Sequence, residues 1–166
     1  MTSWLTEDQQ ESWRSWIAAN SLLNDKLSRE LQSAHGLTMA DYEILVRLSE
    51  APERRMRMSV LAQRALSSRS RLSHQIDRMA SAGLVTREAC PADGRGQNAV
   101  LTDHGWTTLQ SASHTHVTGV RQHLVDLFSD REFAALGKAS AKIAEHLEPG
   151  YCPSILGVPS ESVPAS

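Results

Sequence analysis

One segment of the chain, from Leu84 to Thr102, has the hydrophobic period of β-strands rather than that of helices. The short runs LVTREAC and NAVLT are β-compatible, and PADGRGQ between them contains Pro91, Gly94 and Gly96, which permit a turn. Elsewhere apolar residues recur at three- and four-residue steps, which is typical of amphipathic helices. The sequence therefore predicts a mainly α fold with a small β-hairpin.

The first helix is predicted from a long apolar stripe that ends near Gly36. Its members are Trp13, Trp16, Ile17, Leu23, Leu27, Leu31 and Ala34. After this helix, Thr38 and Asp41 can form a capping box that opens a short second helix, and Pro52 stops it. The apolar residues of the second helix are Tyr42, Leu45 and Leu48.

Two further helical segments follow the basic link ERRMRM. Ser59 is placed to cap VLAQRAL, SSRS then interrupts the pattern, and a fourth helix carries Leu72, Ile76 and Met79 on one stripe. Gly83 is placed to end this helix in the left-handed conformation that glycine adopts without strain. We therefore expect two short helices joined by a tight turn, directly before the hairpin.

Two long helices are predicted after the hairpin. The first carries an apolar stripe, and Ser129 and Glu132 can form a capping box that opens the last one, which runs to Leu147. The apolar residues of these two helices are Trp106, Leu109, Val117, Val120, Leu124, Leu127, Phe133, Leu136, Ile143 and Leu147. Segment 149–166 is rich in proline, glycine and serine, so we expect a disordered tail.

Two short helices, a tight turn and a hairpin, in this order, are typical of a winged helix-turn-helix. We expect one domain over residues 1–148, with the winged helix-turn-helix at about 38–102 and long dimerisation helices at about 5–36 and 103–148. Such a module places its second short helix in the major groove of DNA. The alternative function is a winged-helix adaptor that binds protein and does not read DNA.

The charges of the chain are divided unevenly along the sequence. Nine arginines lie between Arg54 and Arg95 against three carboxylates, which gives about +6, whereas the rest of the chain is about −8. Such a contrast within a small chain favours a basic surface that meets a polyanion.

The outward face of the fourth helix carries the candidate DNA contacts. With its apolar stripe packed inward, these are Ser68, Arg69, Ser70, Arg71, Ser73, His74 and Arg78. Serine and histidine hydrogen-bond base edges or phosphates, and arginine pairs bidentately with guanine. Asp77 lies on the same face and would be repelled by a phosphate. The alternative is an ordinary solvated helix face.

Arg95 is expected at the tip of the hairpin, between two glycines, where it has no packing role. A narrow minor groove attracts an inserted guanidinium through its enhanced negative potential. Asp93, two residues earlier, can hold Arg95 by a charge-assisted hydrogen bond. The alternative is that Asp93 and Arg95 are ordinary exposed residues of a turn with no role in binding.

The segment LSHQIDRMASAGLVTREACPADGRGQNAVLTDHG resembles the MarR family of bacterial transcription regulators. The family's Asp-x-Arg wing followed by Leu-Thr-x-x-Gly is matched by Asp93, Arg95, Leu101, Thr102 and Gly105, while GLTMADYEILVRL and MSVLAQRAL look like its second and third helices. The resemblance implies that Arg95 contacts the minor groove and that Asp93 supports it. It also implies a homodimeric repressor that binds a pseudo-palindromic operator in double-stranded DNA.

The same resemblance implies release from DNA by a small effector, often aromatic or anionic, bound between the dimer helices and the DNA-binding module. Trp13, Trp16, Tyr42 and Trp106 are the candidates to line such a pocket. Core packing is the alternative for each of them.

Other functions lack support in the sequence. No apolar run is long enough to span a membrane and MTSWLTEDQQ is unlike a signal peptide, so we expect a cytoplasmic protein without membrane association. Neither the cysteines, Cys90 and Cys152, nor the histidines have metal-ligand spacing, and no phosphate loop or nucleophile elbow is present. We expect no metal, no cofactor and no enzymatic activity. Cys90 is either an oxidation switch or an inert thiol.

Overall fold

The computed structural model describes residues 3–90 and 93–150, and it describes residues 93–95 by their backbone alone. Over these residues the chain forms six α-helices and three β-strands. The helices are α1 Glu7–His35, α2 Met39–Ser49, α3 Met58–Arg64, α4 Arg69–Ser81, α5 Asp103–His123 and α6 Asp130–Leu147, and the strands are β1 Arg55–Arg57, β2 Val85–Cys90 and β3 Asp93–Leu101. From residue 151 onward, the predicted tail and Cys152 lie outside the described residues.

Helix α1 is closed at both ends by local hydrogen bonds. Thr6 and Gln9 form a capping box at its start, and Gly36 ends it with a left-handed φ of 67°. Only Leu27 and Leu31 of the predicted stripe are fully buried in the chain, whereas Trp13 and Trp16 remain exposed. The first half of α1 therefore presents an apolar surface to its surroundings.

The predicted capping box of α2 is confirmed. The Thr38 hydroxyl accepts a hydrogen bond from the Asp41 amide at 3.1 Å, and the Asp41 carboxylate accepts one from the Thr38 amide at 3.1 Å. The helix ends at Ser49, before Pro52, as the sequence predicts.

The basic link after α2 contains a strand that sequence reasoning missed. Arg55, Met56 and Arg57 form β1, which pairs antiparallel with β3, so the sheet has the order β1-β3-β2. Three residues are too few to show an alternating pattern, and only Met56 among them is buried. The wing is therefore built on a three-stranded sheet, whereas the sequence predicted a two-stranded hairpin.

The cap of α3 differs from its prediction. Ser59 was expected to cap this helix, but α3 begins at Met58 and Arg57 occupies the cap position with extended backbone and no side-chain cap. The reason is that β1 runs directly into the helix, so Arg57 belongs to the pairing register of the sheet. A short turn then leads to α4, and Leu66 in this turn has a left-handed φ of 47°.

Helix α4 forms as predicted. The Ser68 hydroxyl caps it by accepting a hydrogen bond from the Arg71 amide at 3.2 Å. Leu72, Ile76 and Met79 are buried against the core. The predicted C-cap is confirmed at Gly83, which has a left-handed φ of 73°.

The base of the wing contacts the start of α5 very closely. The Thr102 hydroxyl accepts a hydrogen bond from the Gly105 amide at 2.9 Å and lies 2.7 Å from the carbonyl oxygen of Gly83. A Cβ placed on Gly105 would be 2.0 Å from the carbonyl oxygen of Leu84. The glycine of the Leu-Thr-x-x-Gly pattern is therefore required for packing, because only glycine lets the first turn of α5 approach the backbone of Leu84, directly before β2, this closely.

The last two helices leave part of their apolar residues uncovered. Helix α5 ends at His123 and a 3-10 turn follows at Val125–Leu127, so Leu124 and Leu127, predicted within this helix, lie beyond it. The capping box of α6 at Ser129 and Glu132 is confirmed. Within the described part of the chain, α6 buries none of its residues, although Ile143 and Leu147 are large and apolar.

We predict that Gly105→Ala lowers the free energy of unfolding by about 2–3 kcal/mol, because the added methyl group collides with backbone atoms that cannot move aside. Ser111→Ala, at an exposed position of the same helix, should change it by less than about 0.5 kcal/mol. Urea unfolding measures both variants. Equal stability of the two would contradict the close contact at Gly105.

Candidate nucleic-acid interface

The exposed face of α4 contains most of the predicted DNA contacts. Ser70, Arg71 and His74 are exposed on this helix, and Arg69 is exposed in its first turn. The buried apolar stripe packs α4 against the core, so the backbone that carries these exposed side chains is fixed in position. The geometry is that of a reading helix, whose polar side chains would face the edges of base pairs in a major groove.

Arg87 joins α4 to both long strands of the wing. From β2, its Nη2 donates to the carbonyl oxygen and the hydroxyl of Ser73, both at 2.9 Å, and lies 2.8 Å from the Asp77 carboxylate. Its Nη1 donates to Gln97 of β3 at 2.7 Å. Ser73, predicted as a DNA contact, is therefore half-buried and bonded to the wing, and Asp77 is paired with a cation rather than left as an isolated negative charge.

Asp41 connects α4 to the start of α2. This buried carboxylate accepts hydrogen bonds from Gln75 and from Arg78, both at 3.1 Å, in addition to those from Thr38. The α2 capping box thus also serves as an anchor for the reading helix. Arg78 was predicted to contact DNA; its side chain remains largely exposed, but Asp41 holds one end of the guanidinium.

Ion pairs within the fold neutralise part of the positive charge that the sequence concentrates between Arg54 and Arg95. Arg55 contacts Glu53 at 3.2 Å and Glu88 at 3.1 Å, and Arg54 lies over the ring of Trp106 at 4.3 Å. Arg69 and Arg71 are exposed in the first turn of α4. Positive charge is therefore placed beside the reading helix.

The wing tip carries the remaining two predicted DNA contacts. The backbone of Asp93 and Arg95 lies in β3, and the pairing of β2 with β3 becomes irregular between Ala89 and Cys90. The side chains of Asp93 and Arg95 lie outside the described residues, so their roles stay predictions.

The four aromatic candidates for an effector site have different surroundings. Trp13 and Trp16 stack on exposed α1 with their ring centroids 5.5 Å apart, whereas Trp106 is half-buried beneath Arg54. Tyr42 is buried, donates a hydrogen bond to Ser113 at 3.3 Å and lies against a histidine of α5.

That histidine is His116, whose ring centroid lies 4.7 Å from that of Tyr42. Burial lowers the pKa of His116 and raises the pKa of Tyr42, so both side chains are held neutral near pH 7. Nδ1 of His116 is buried without a hydrogen-bond partner among the described residues. Sequence reasoning missed His116, because its burial depends on the packing of α5 against α2.

The helix-turn-helix, its three-stranded wing and the exposed second helix together define a winged helix-turn-helix protein. The profile of the MarR family matches residues 35–96. AbsC, a MarR family transcriptional regulator from Streptomyces coelicolor, is 51% identical in sequence, and its crystal structure matches with a TM-score of 0.83 over 88% of this chain and 98% of AbsC. The chain belongs to the MarR family, whose members are transcriptional regulators and not enzymes.

Two further relatives are similar to the chain. A second MarR family regulator from Streptomyces coelicolor, whose structure was solved in complex with DNA, is 43% identical and matches with a TM-score of 0.86 over 90% of this chain and 94% of that protein. The transcriptional regulator PecS from Dickeya dadantii (strain 3937) is 27% identical over 129 residues, which are 76% of either chain. Among the residues that the structure describes, no helix is long and apolar enough to cross a membrane.

We predict that Asp41→Asn destabilises the protein by about 1–3 kcal/mol. The Asp41 carboxylate accepts hydrogen bonds from N–H groups on both of its oxygens, and asparagine would replace one of these oxygens with an NH2 group that cannot accept them. The matched control is Asp25→Asn on α1, which removes an exposed pair with Arg29 and should cost less than about 0.5 kcal/mol. Denaturant unfolding distinguishes the two. A loss for Asp41→Asn no larger than that of the control would show that Asp41 does not anchor α4.

Proposed function

We propose that this regulator is a repressor that binds double-stranded DNA as a homodimer, with α4 of each protomer in the major groove. The observation that carries the proposal is the exposed face of Ser70, Arg71 and His74 on a helix fixed from two sides by Arg87 and Asp41. A rigid helix keeps base-contacting side chains in register with base edges. The 43% identical relative solved in complex with DNA supports this reading.

The proposed dimer rests on the apolar surface that the chain leaves exposed. Trp13, Ile17 and Leu22 on α1 are at least 41% exposed, and Ile143 and Leu147 on α6 are 46% and 72% exposed. Monomeric soluble proteins rarely expose apolar side chains in such number on neighbouring helical turns. A second copy of the same chain covers them and brings two reading helices to one duplex, which explains a pseudo-palindromic operator.

A small aromatic or anionic effector is proposed to release the repressor. We place the effector site at the pair formed by Tyr42 and His116, because this pair lies where α2 of the DNA-binding module meets α5. A ligand there would change the position of α2, and Asp41 in the first turn of α2 would pass that change to α4. DNA binding and regulation of this kind assign the protein to the cytoplasm.

The dimer predicts a mass of twice the chain in sedimentation at micromolar concentration. Ile143→Asp should shift the protein toward monomer, because it places a charge in the apolar surface of α6. Lys138→Asp, on the polar side of the same helix, should remain dimeric. A monomeric wild-type protein would contradict the proposed dimer and the palindromic operator together.

Binding to duplex DNA should weaken steeply as salt concentration rises, since cations replace the protein at the phosphates. The double substitution Ser70→Ala and His74→Ala should change which sequence is preferred, at a cost of about 1–3 kcal/mol for each lost base contact. Fluorescence anisotropy on a panel of duplexes measures both effects. If the protein does not bind duplex DNA in a salt-sensitive way, a protein-binding adaptor is favoured. If the double variant keeps the wild-type sequence preference, α4 is not the helix that reads the bases.

The same assay tests the wing. Arg95→Ala should weaken binding most on duplexes whose flanks are rich in A and T, where the minor groove is narrow. Asp93→Ala should act in the same direction but more weakly, because it loosens the arginine without removing it. An equal loss on A/T-rich and G/C-rich flanks would make Arg95 a general phosphate contact.

A further inference from the structure

Leu66 exposes a large apolar side chain in the turn between α3 and α4. The side chain is 83% exposed, so it packs against almost nothing within the fold. The other residues of the turn are Ala65, Ser67 and Ser68, and none of them is large enough to cover it. A single exposed leucine is ordinary on a protein surface, but the backbone conformation of this one is not.

The backbone of Leu66 adopts a conformation that favours glycine. Its φ of 47° lies in the left-handed region, where a Cβ crowds the backbone. The Leu66 amide donates to the carbonyl oxygen of Gln63 at 3.1 Å, and the Ser67 amide donates to that of Ala62 at 3.0 Å. Helices that end with this pair of hydrogen bonds usually have glycine at the position of Leu66. Leucine therefore costs stability here.

The end of α4 has the same pair of hydrogen bonds and provides a direct comparison. The Gly83 amide donates to the carbonyl oxygen of Ala80 at 2.9 Å, and the Leu84 amide donates to that of Met79 at 3.0 Å. Glycine takes the left-handed conformation there, and the leucine that follows it is buried. At the end of α3 the leucine itself is left-handed, and a serine follows it. The fold therefore gains neither a relaxed turn nor a buried side chain from Leu66.

Leu66 lies beside the proposed reading face. Ser68 caps α4 two residues later, and Arg69 and Ser70 are exposed in the first turn of that helix. The first residues of a reading helix are the ones that meet base edges in the major groove. Because the turn leads directly into this end of α4, it approaches the same groove with the side chain of Leu66 exposed.

The chemistry of leucine restricts what it can recognise in that groove. Its side chain has no donor and no acceptor, so it pairs with neither a phosphate nor a polar base edge. Base edges in the major groove present hydrogen-bonding groups at every base pair, and their apolar group is the C5-methyl of thymine. Thymine is therefore the base that an exposed leucine selects.

We propose that Leu66 contacts the C5-methyl group of one thymine in each operator half-site and so helps to determine which sequence is bound. The inference rests on the proposed DNA binding and deepens it, because it adds an apolar base contact from outside α4. It also accounts for a leucine in a strained turn. The stability that the free protein loses is offset when the methyl group covers the side chain.

Replacement of thymine by uracil tests the contact, because the two bases differ only in this methyl group. The duplex is an operator obtained by selection of bound genomic fragments, and each thymine is replaced in turn at matching places in both half-sites. Fluorescence anisotropy measures the affinity. For the wild-type protein we expect one position at which uracil weakens binding by about fourfold for each half-site, the effect of one methyl group losing an apolar contact.

Two variants remove the apolar side chain without straining the turn. Asparagine is similar to leucine in size and tolerates the left-handed conformation, so Leu66→Asn should melt at or above the wild-type temperature. Leu66→Gly relieves the strain fully and should melt above it. Both variants should bind the thymine and uracil duplexes equally at the sensitive position. Leu66→Met keeps an apolar side chain and should keep the preference for thymine.

Glu53→Asn is the matched control. Glu53 is also exposed and also left-handed, with a φ of 53°, but it precedes the end of β1 that pairs with Val100 at the base of the wing. This variant should show the same ratio of thymine to uracil affinity as the wild-type protein. The ratio is the readout because a change of net charge alters both affinities together.

Two results would overturn the inference and leave the proposed function intact. One is a wild-type protein that binds its operator but responds to uracil at no thymine. The other is a Leu66→Asn or Leu66→Gly variant that keeps the full wild-type response to uracil. A wild-type protein that binds no duplex would instead contradict the proposed function, and the thymine contact would fall with it.

Discussion

The hydrogen bonds of Arg87 determine how the reading helix and the wing are oriented relative to each other. One guanidinium reaches Ser73 and Asp77 on α4 and Gln97 on β3, so the helix and the sheet cannot rotate independently. The contact between Gly105 and the carbonyl oxygen of Leu84 fixes the same wing to α5. Helix α4, the wing and the start of α5 are therefore joined by direct contacts.

Pairing of charges decides where the basic surface lies. Arg54, Arg55, Arg78 and Arg87 have carboxylate partners within the fold. Arg69 and Arg71 are exposed at the start of α4. Local positive charge attracts a phosphate backbone, so these two arginines place positive charge beside the proposed reading face.

Local sequence signals predicted much of the fold, and the features that they missed depend on contacts between elements distant in sequence. The capping boxes of α2 and α6 and the left-handed Gly83 depend on residues a few positions apart, so the sequence was sufficient to predict them. Strand β1 has three residues and exists through its pairing with β3, which no local pattern reveals. The outward face of α4 followed from its apolar stripe, but the partners Arg87 and Asp41 belong to other elements, so their roles required the packed structure.

In the proposed function, two copies of this chain read one duplex through paired α4 helices. Selection of bound fragments from genomic DNA tests it most directly. We expect enrichment of an inverted repeat whose half-site centres lie about 10 base pairs apart, one turn of the double helix. Enrichment of a single unpaired half-site, or no enrichment over the input DNA, would contradict it.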